Sequence, residues 1–89
     1  MKVRAEISLY PLKTTDLSNP IDEFCRILQA QGLEVQIGPM SSFVSGECKD
    51  LFEAIEKAFE QLAEKYQVVM TAKISNACPQ VNDDRQVCY

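Results

Sequence analysis

The 89-residue chain is large enough for one hydrophobic core but can bury little surface alone, so its size favours self-association. With 46% hydrophobic and 25% charged residues it has the composition of an ordinary globular domain, and no apolar run approaches the roughly 20 residues that span a membrane. A formal charge of -4 without a basic cluster argues against nucleic-acid binding and favours a neutral or cationic ligand.

The chain has no histidine, which removes Ser-His-Asp and Cys-His catalysis and most zinc chemistry. Cys25, Cys48, Cys78 and Cys88 form no Cys-x-x-Cys pair and read as free thiols, with Cys25 and Cys48 packed as small hydrophobes. A Cys78–Cys88 disulfide is the alternative and requires an oxidant. Glu6 falls where a signal peptide would carry its apolar core, so the expected location is the cytoplasm.

From Val3 to Leu12 the pattern alternates, with Val3, Ala5, Ile7 and Leu9 on one face and Arg4, Glu6, Ser8 and Tyr10 on the other, as in a half-buried strand. Pro11 is expected to end its ladder, before a polar connection over 13–19. A helix follows, with Asn19 as cap, Pro20 in the first helical position, and Ile21, Phe24, Cys25 and Leu28 on one face. Gly32 supplies its left-handed stop.

Leu33, Val35 and Ile37 then point inward along a second strand, and Gly38-Pro39-Met40 turns it into a third over 41–48. On that third strand Ser42, Val44, Gly46 and Cys48 share one face, and Phe43, Ser45 and Glu47 the other. Gly46 is expected to serve the backbone, as a bulge or a close approach. The strongest helical signal runs from Cys48 to Tyr66: Leu51, Ile55, Ala58 and Leu62 recur at three- and four-residue spacing, with Phe52 and Phe59 beside them. Asp50 and Glu53 have the spacing of a capping box, and Glu53 precedes Lys57 by four residues as a surface pair. Val68 to Ser75 is a fourth strand, with Val68, Met70, Ala72 and Ile74 inward. Periodicity is lost after Asn76, so residues 1–79 form the expected domain and 80–89 a flexible tail.

The order strand, helix, strand, strand, helix, strand, with one apolar face per strand, predicts an α+β, ferredoxin-like βαββαβ domain. Right-handed crossovers give an antiparallel sheet of order 4-1-3-2 with both helices on one side. The opposite face is left bare, showing Tyr10, Phe43 and Val69 among polar residues, and is the expected homo-oligomer surface. Three functions that use this fold lack their motifs here. The first loop has neither the glycines of an acylphosphatase cradle nor the cysteine pair of a copper chaperone, and the third strand has one aromatic, where an RNA-recognition motif needs several with basic residues.

Four motifs in order, Ser8-Leu9-Tyr10-Pro11, Met40-Ser41-Ser42 with Gly46, Val69-Met70-Thr71 and Ser75-Asn76-Ala77-Cys78-Pro79, resemble the YkoF-related thiamine-binding family, as does Leu51-Phe52-Glu53-Ala54. The resemblance runs from about Val3 to Pro79. It implies a ferredoxin-like domain that binds thiamine or its hydroxymethylpyrimidine portion without transforming it and without a required cofactor or metal. The best-known form carries two such domains in tandem, so this single copy implies a homodimer or homotetramer in which a second chain supplies the neighbouring repeat.

Thiamine joins an aminopyrimidine, which needs directed hydrogen bonds and an apolar clamp, to a cationic thiazolium, which suits an aromatic face or a carboxylate. The candidate ligand-binding residues are Ser8, Tyr10, Met40, Ser42, Phe43, Glu47, Thr71 and Ser75. Ser42 is the most informative, because a hydroxyl on the apolar face needs a partner, either a ligand or a backbone group of the Met40-Ser41-Ser42 turn. Tyr10 and Phe43 serve either a ligand or a subunit interface, and Met40 either a pocket or hairpin packing. Thr71 and Ser75 are hydrogen-bond donors. Glu6 and Glu47 are counter-charges to a thiazolium, or partners of Lys73 or Arg4 across the sheet. Two other readings stand beside ligand binding: a structural or regulatory oligomerisation module, and an enzyme with Glu6 or Glu47 as general base. The last lacks an activated nucleophile, so no catalytic residue is assigned.

Overall fold

The computed structural model of the chain describes residues 1–15 and 18–77; the expected tail at 80–89, and Cys78 and Cys88, lie outside the described residues. The elements are β1 (Lys2–Leu12), α1 (Ser18–Ala30), β2 (Glu34–Ile37), β3 (Ser42–Glu47), α2 (Cys48–Ala63) and β4 (Gln67–Ser75). The four strands form one sheet of order β2-β3-β1-β4 with every pair antiparallel, which read from the other edge is the expected 4-1-3-2. The fold is α+β and ferredoxin-like.

Alternation along β1 sets the sheet's two faces. Val3, Ala5 and Ile7 are buried and join Val44 of β3 against Phe24, Cys25 and Leu28 of α1 and Leu51, Ala54, Ala58 and Leu62 of α2. Alanine at 54 and 58 lets the α2 backbone lie close to what it covers. Burying each large side chain of this set contributes about 1.5–3 kcal/mol.

Local details depart from the sequence expectations in four places. β1 runs through Pro11 to Leu12, because beyond Ile7 it is paired with β4 alone, and a proline without an N–H is tolerated where a strand has one neighbour. α1 begins at Ser18, so Asn19 and Pro20 lie within its first turn and Asn19 is not the cap. α2 begins at Cys48 with Glu47 as N-cap and no side-chain cap bond; Asp50 therefore belongs to the first turn and acts on the helix dipole, not as the start of a capping box. That helix ends at Ala63, where the N–H groups of Lys65 and Tyr66 close on the Leu62 carbonyl, and Glu53 pairs with Lys49 (3.9 Å) instead of Lys57.

Helix cover also stops short of the sheet's edges. Ile37 on β2 and Ala72 and Ile74 on β4 point to the helix side but are exposed. Gly46 lies in an unbroken ladder and serves a close approach, since a Cβ there would meet Leu33 Cδ2 at 2.5 Å. Gly32, at φ 86°, provides the expected left-handed turn after α1.

Candidate functional site

The β2–β3 hairpin meets α1 over the middle of β1 and encloses a recess of about 80 Å³. Ile7 and Leu9 of β1 and Ile21 and Phe24 of α1 form its walls, and residues 37–42 form its rim and roof. The lining side chains are apolar apart from the Ser42 hydroxyl, with Ser41 also at the rim. No residue of α2 lines it.

Ser42 is 6% exposed and is the buried polar residue of the described core. Its hydroxyl does not bond the adjoining turn; its contact is with the Cys25 thiol, Oγ to Sγ 3.8 Å. A thiol is a weak hydrogen-bond partner, so the hydroxyl keeps capacity for a stronger one in the recess. Cys25 is a free thiol 3% exposed, and burial pushes its pKa up; the Ser42 hydrogen bond opposes that shift and the nearby Asp22 charge adds to it. The thiol therefore remains protonated at neutral pH.

The roof is pinned from the opposite face of the sheet. The Ser41 hydroxyl donates to Glu6 Oε2 at 2.8 Å, and the Glu6 carboxylate lies 3.7 Å from Lys73 Nζ on β4. The Ser8 hydroxyl reaches the Met40 carbonyl at 3.5 Å, and the Gly38 N–H closes the turn on the Ser41 carbonyl at 2.9 Å. Sequence reasoning placed Glu6 among the counter-charges but gave Ser41 no role. The signal was parity: Ser41 precedes Ser42 by one residue, so its side chain turns to the face that Glu6 occupies.

The structure divides the eight candidate residues between two faces. Met40 and Ser42 line the recess, although Met40 is 83% exposed at its rim. Ser8, Tyr10, Phe43, Thr71 and Ser75 belong to the open face, in a ladder where Ser8 opposes Thr71, Tyr10 opposes Val69, and Glu6 stands between Phe43 and Lys73. Glu47 and Ser75 are not brought to Ser42. Glu47 stands five residues along β3, roughly 17 Å away at the rise of a strand, and pairs with the Met1 ammonium at 3.1 Å. Ser75 accepts the Ala77 N–H at 2.9 Å in a local turn at that same far end. Thus Glu6 is the carboxylate that the structure connects to the recess.

A second hollow, about 200 Å³ and more polar, lies on the open face among Arg4, Glu34, Gln36, Phe43 and Ser45. Among the described residues no group of three or more cysteine, aspartate or glutamate side chains is placed to hold a metal ion, and no helix is long and apolar enough to cross a membrane.

Known structures share this architecture. A hypothetical protein of Methanocaldococcus jannascii superposes with a TM-score of 0.79 at 23% identity, covering 94% of this chain and 89% of its own. A Streptococcus pneumoniae protein gives 0.77 at 24% identity with 96% of each chain covered. A Thermotoga maritima protein, provisionally assigned to thiamine biosynthesis or salvage, gives 0.73 at 22% identity, covering 83% of this chain and 82% of its own. A search of curated proteins gives no match. At these identities the likenesses speak for the fold. The family model described as thiamine-binding protein matches residues 5–80, a span that includes every residue of the recess, and the chain belongs to that family.

Proposed function

We propose that the chain binds thiamine, or its hydroxymethylpyrimidine portion, in the recess beneath the β2–β3 hairpin, without transforming it, and does so as a homo-oligomer. Ser42 carries the reading: a hydroxyl 6% exposed, on an apolar wall, has among the described residues a thiol for its partner. An aminopyrimidine ring offers nitrogens for that hydroxyl and flat apolar faces for Ile7, Ile21 and Phe24. The thiazolium then extends toward the rim, on the side where Glu6 anchors Ser41. The Glu6 carboxylate is already engaged by the Ser41 hydroxyl and by Lys73, which favours a positioning role over general-base catalysis. The free thiols of Cys25 and Cys48 support a reducing, cytoplasmic setting.

Calorimetric titration with thiamine and with free hydroxymethylpyrimidine tests the reading. The expected result is saturable binding of both; no heat and no thermal shift at millimolar ligand overturns it. The second reading, an oligomerisation module without a ligand, is favoured by the size of the recess. Its 80 Å³ is well under the roughly 300–1,000 Å³ of ordinary ligand pockets.

A further inference from the structure

That shortfall in volume carries a consequence for the hairpin. A ligand larger than the recess reaches Ser42 only if the roof moves, because Ile7, Leu9, Ile21 and Phe24 are fixed by β1 and α1. The roof is a short turn whose residues 37–41 are exposed or half-buried, with Met40 83% exposed. Little apolar burial holds it down. The sheet ladder fixes the turn's ends at Ile37 and Ser42 and the Gly38 N–H closes it on the Ser41 carbonyl; what ties it to β1 is the Ser41 hydroxyl on Glu6 at 2.8 Å and the longer Ser8 contact with the Met40 carbonyl at 3.5 Å. The Ser41 bond is the stronger of these two because its acceptor is a carboxylate, and the acceptor is itself held by Lys73 at 3.7 Å.

We propose that Ser41 and Glu6 are positioning residues for the recess: their hydrogen bond latches the turn over residues 38–41, between β2 and β3, as a lid, and its breaking admits a ligand to Ser42. The latch joins the sheet's two faces, since Ser41 rims the recess while Glu6 and Lys73 stand on the open face. Access to the site is thereby set in part from the open face, by Glu6 and Lys73, which do not line the recess. The ligand's identity as thiamine rests on the function proposed above; the latch does not.

Cys25 provides a reporter that needs no ligand. It lies 3.8 Å from Ser42 and is 3% exposed, next in the chain to Phe24 of the recess wall, while Cys48, half-buried at the start of α2 beyond the far end of β3, serves as an internal control. When opening is fast and reversible, alkylation of a buried thiol follows the population of the open form. The rate of iodoacetamide modification at each cysteine, read by peptide mass spectrometry on the full-length chain, should rise roughly tenfold at Cys25 in Ser41→Ala, the loss expected for one hydrogen bond to a charged group. Cys48 should be unchanged, and Ser41→Thr, which keeps the hydroxyl, should restore the slow rate. An unchanged Cys25 rate in Ser41→Ala overturns the latch, and so does an equal rise at both cysteines, which signals general loosening. Thiamine added to the wild-type chain should protect Cys25, and in Ser41→Ala both its association and its dissociation should quicken. Absence of protection with the Ser41→Ala effect intact would reject thiamine in the recess and leave the latch standing.

Discussion

Ser42 tests the ligand site most directly because its hydroxyl contributes so little to the folded chain. Its one described contact is the 3.8 Å approach of the Cys25 thiol, so Ser42→Ala, which removes the hydroxyl and adds no volume, should change stability by less than about 1.5 kcal/mol. The same substitution removes the polar group that faces the recess, and thiamine affinity should fall about tenfold or more. Urea unfolding and calorimetric titration give the two numbers, and unaltered affinity would move the site elsewhere. Cys25 makes a second prediction, at alkaline pH. Burial raises its pKa in the folded chain, so below the unfolded thiol's pKa both states hold the proton and stability is unaffected. Above that value the unfolded chain loses the proton first, binds fewer protons than the native state, and stability falls as pH rises toward the folded pKa. Cys25→Ala should flatten the alkaline slope of the urea midpoint even as the lost packing lowers the midpoint itself; an unchanged slope would mean that other groups produce it. At this scale the sequence was informative about faces. Alternation placed Val3, Ala5, Ile7, Ser42 and Val44 inward, and all are buried. Face alone does not make a site: Ser42 and Glu47 stand among the same candidates although they are the two ends of one strand.

At the scale of elements, α2 shows how period and boundary separate. Its burial at Leu51, Ala58 and Leu62 follows the apolar spacing, with Ala54 fully buried and Ile55 of the expected stripe only partly covered, whereas its start follows from where β3 ends, at Glu47, and not from the Asp50–Glu53 spacing. A capping pattern names residues able to cap; the tertiary path decides whether the helix begins there. Inward-facing residues at the sheet's edges were misjudged for a related reason. Ile37, Ala72 and Ile74 have the right parity, but two helices do not reach across the full width of four strands, and period cannot show where cover ends. Gly46 turns the same geometry into a prediction. A methyl group there would stand 2.5 Å from Leu33 Cδ2, and Leu33 is 5% exposed with little room to turn away. Gly46→Ala should therefore destabilise the chain by about 1–3 kcal/mol in urea unfolding, the range for overpacking a well-filled site. Pairing it with Leu33→Ala should recover part of that cost if the clash is with this side chain, and an additive double variant would contradict that account.

For the whole molecule, the open face decides whether one copy suffices. Tyr10 and Val69, 50% and 46% exposed, form a cross-strand pair there, and Phe43, 44% exposed, stands roughly 14 Å further along the sheet opposite Glu6, so the face carries two apolar patches set among Glu6, Lys73 and Thr71. Patches of this kind on a small domain mark association surfaces, and a chain of 89 residues gains from covering one. A second copy seated on the face would present the same residues in reverse, so a single substitution is felt twice. Phe43 is the informative position because β1 sets Glu6 directly opposite it. Phe43→Asp removes the aromatic and places a like charge beside Glu6, whose partner Lys73 is already engaged. Removing apolar surface from each of two copies costs about 3 kcal/mol together, so self-association should weaken by roughly a hundredfold. Sedimentation equilibrium at micromolar concentration should then give a homo-oligomer for the parent chain and a monomer for the variant, with helical circular dichroism unchanged. A parent chain that sediments as a monomer would assign the open face to some other partner. If the variant is monomeric yet binds thiamine as tightly as the parent, the recess is complete within one copy and the second chain supplies stability alone.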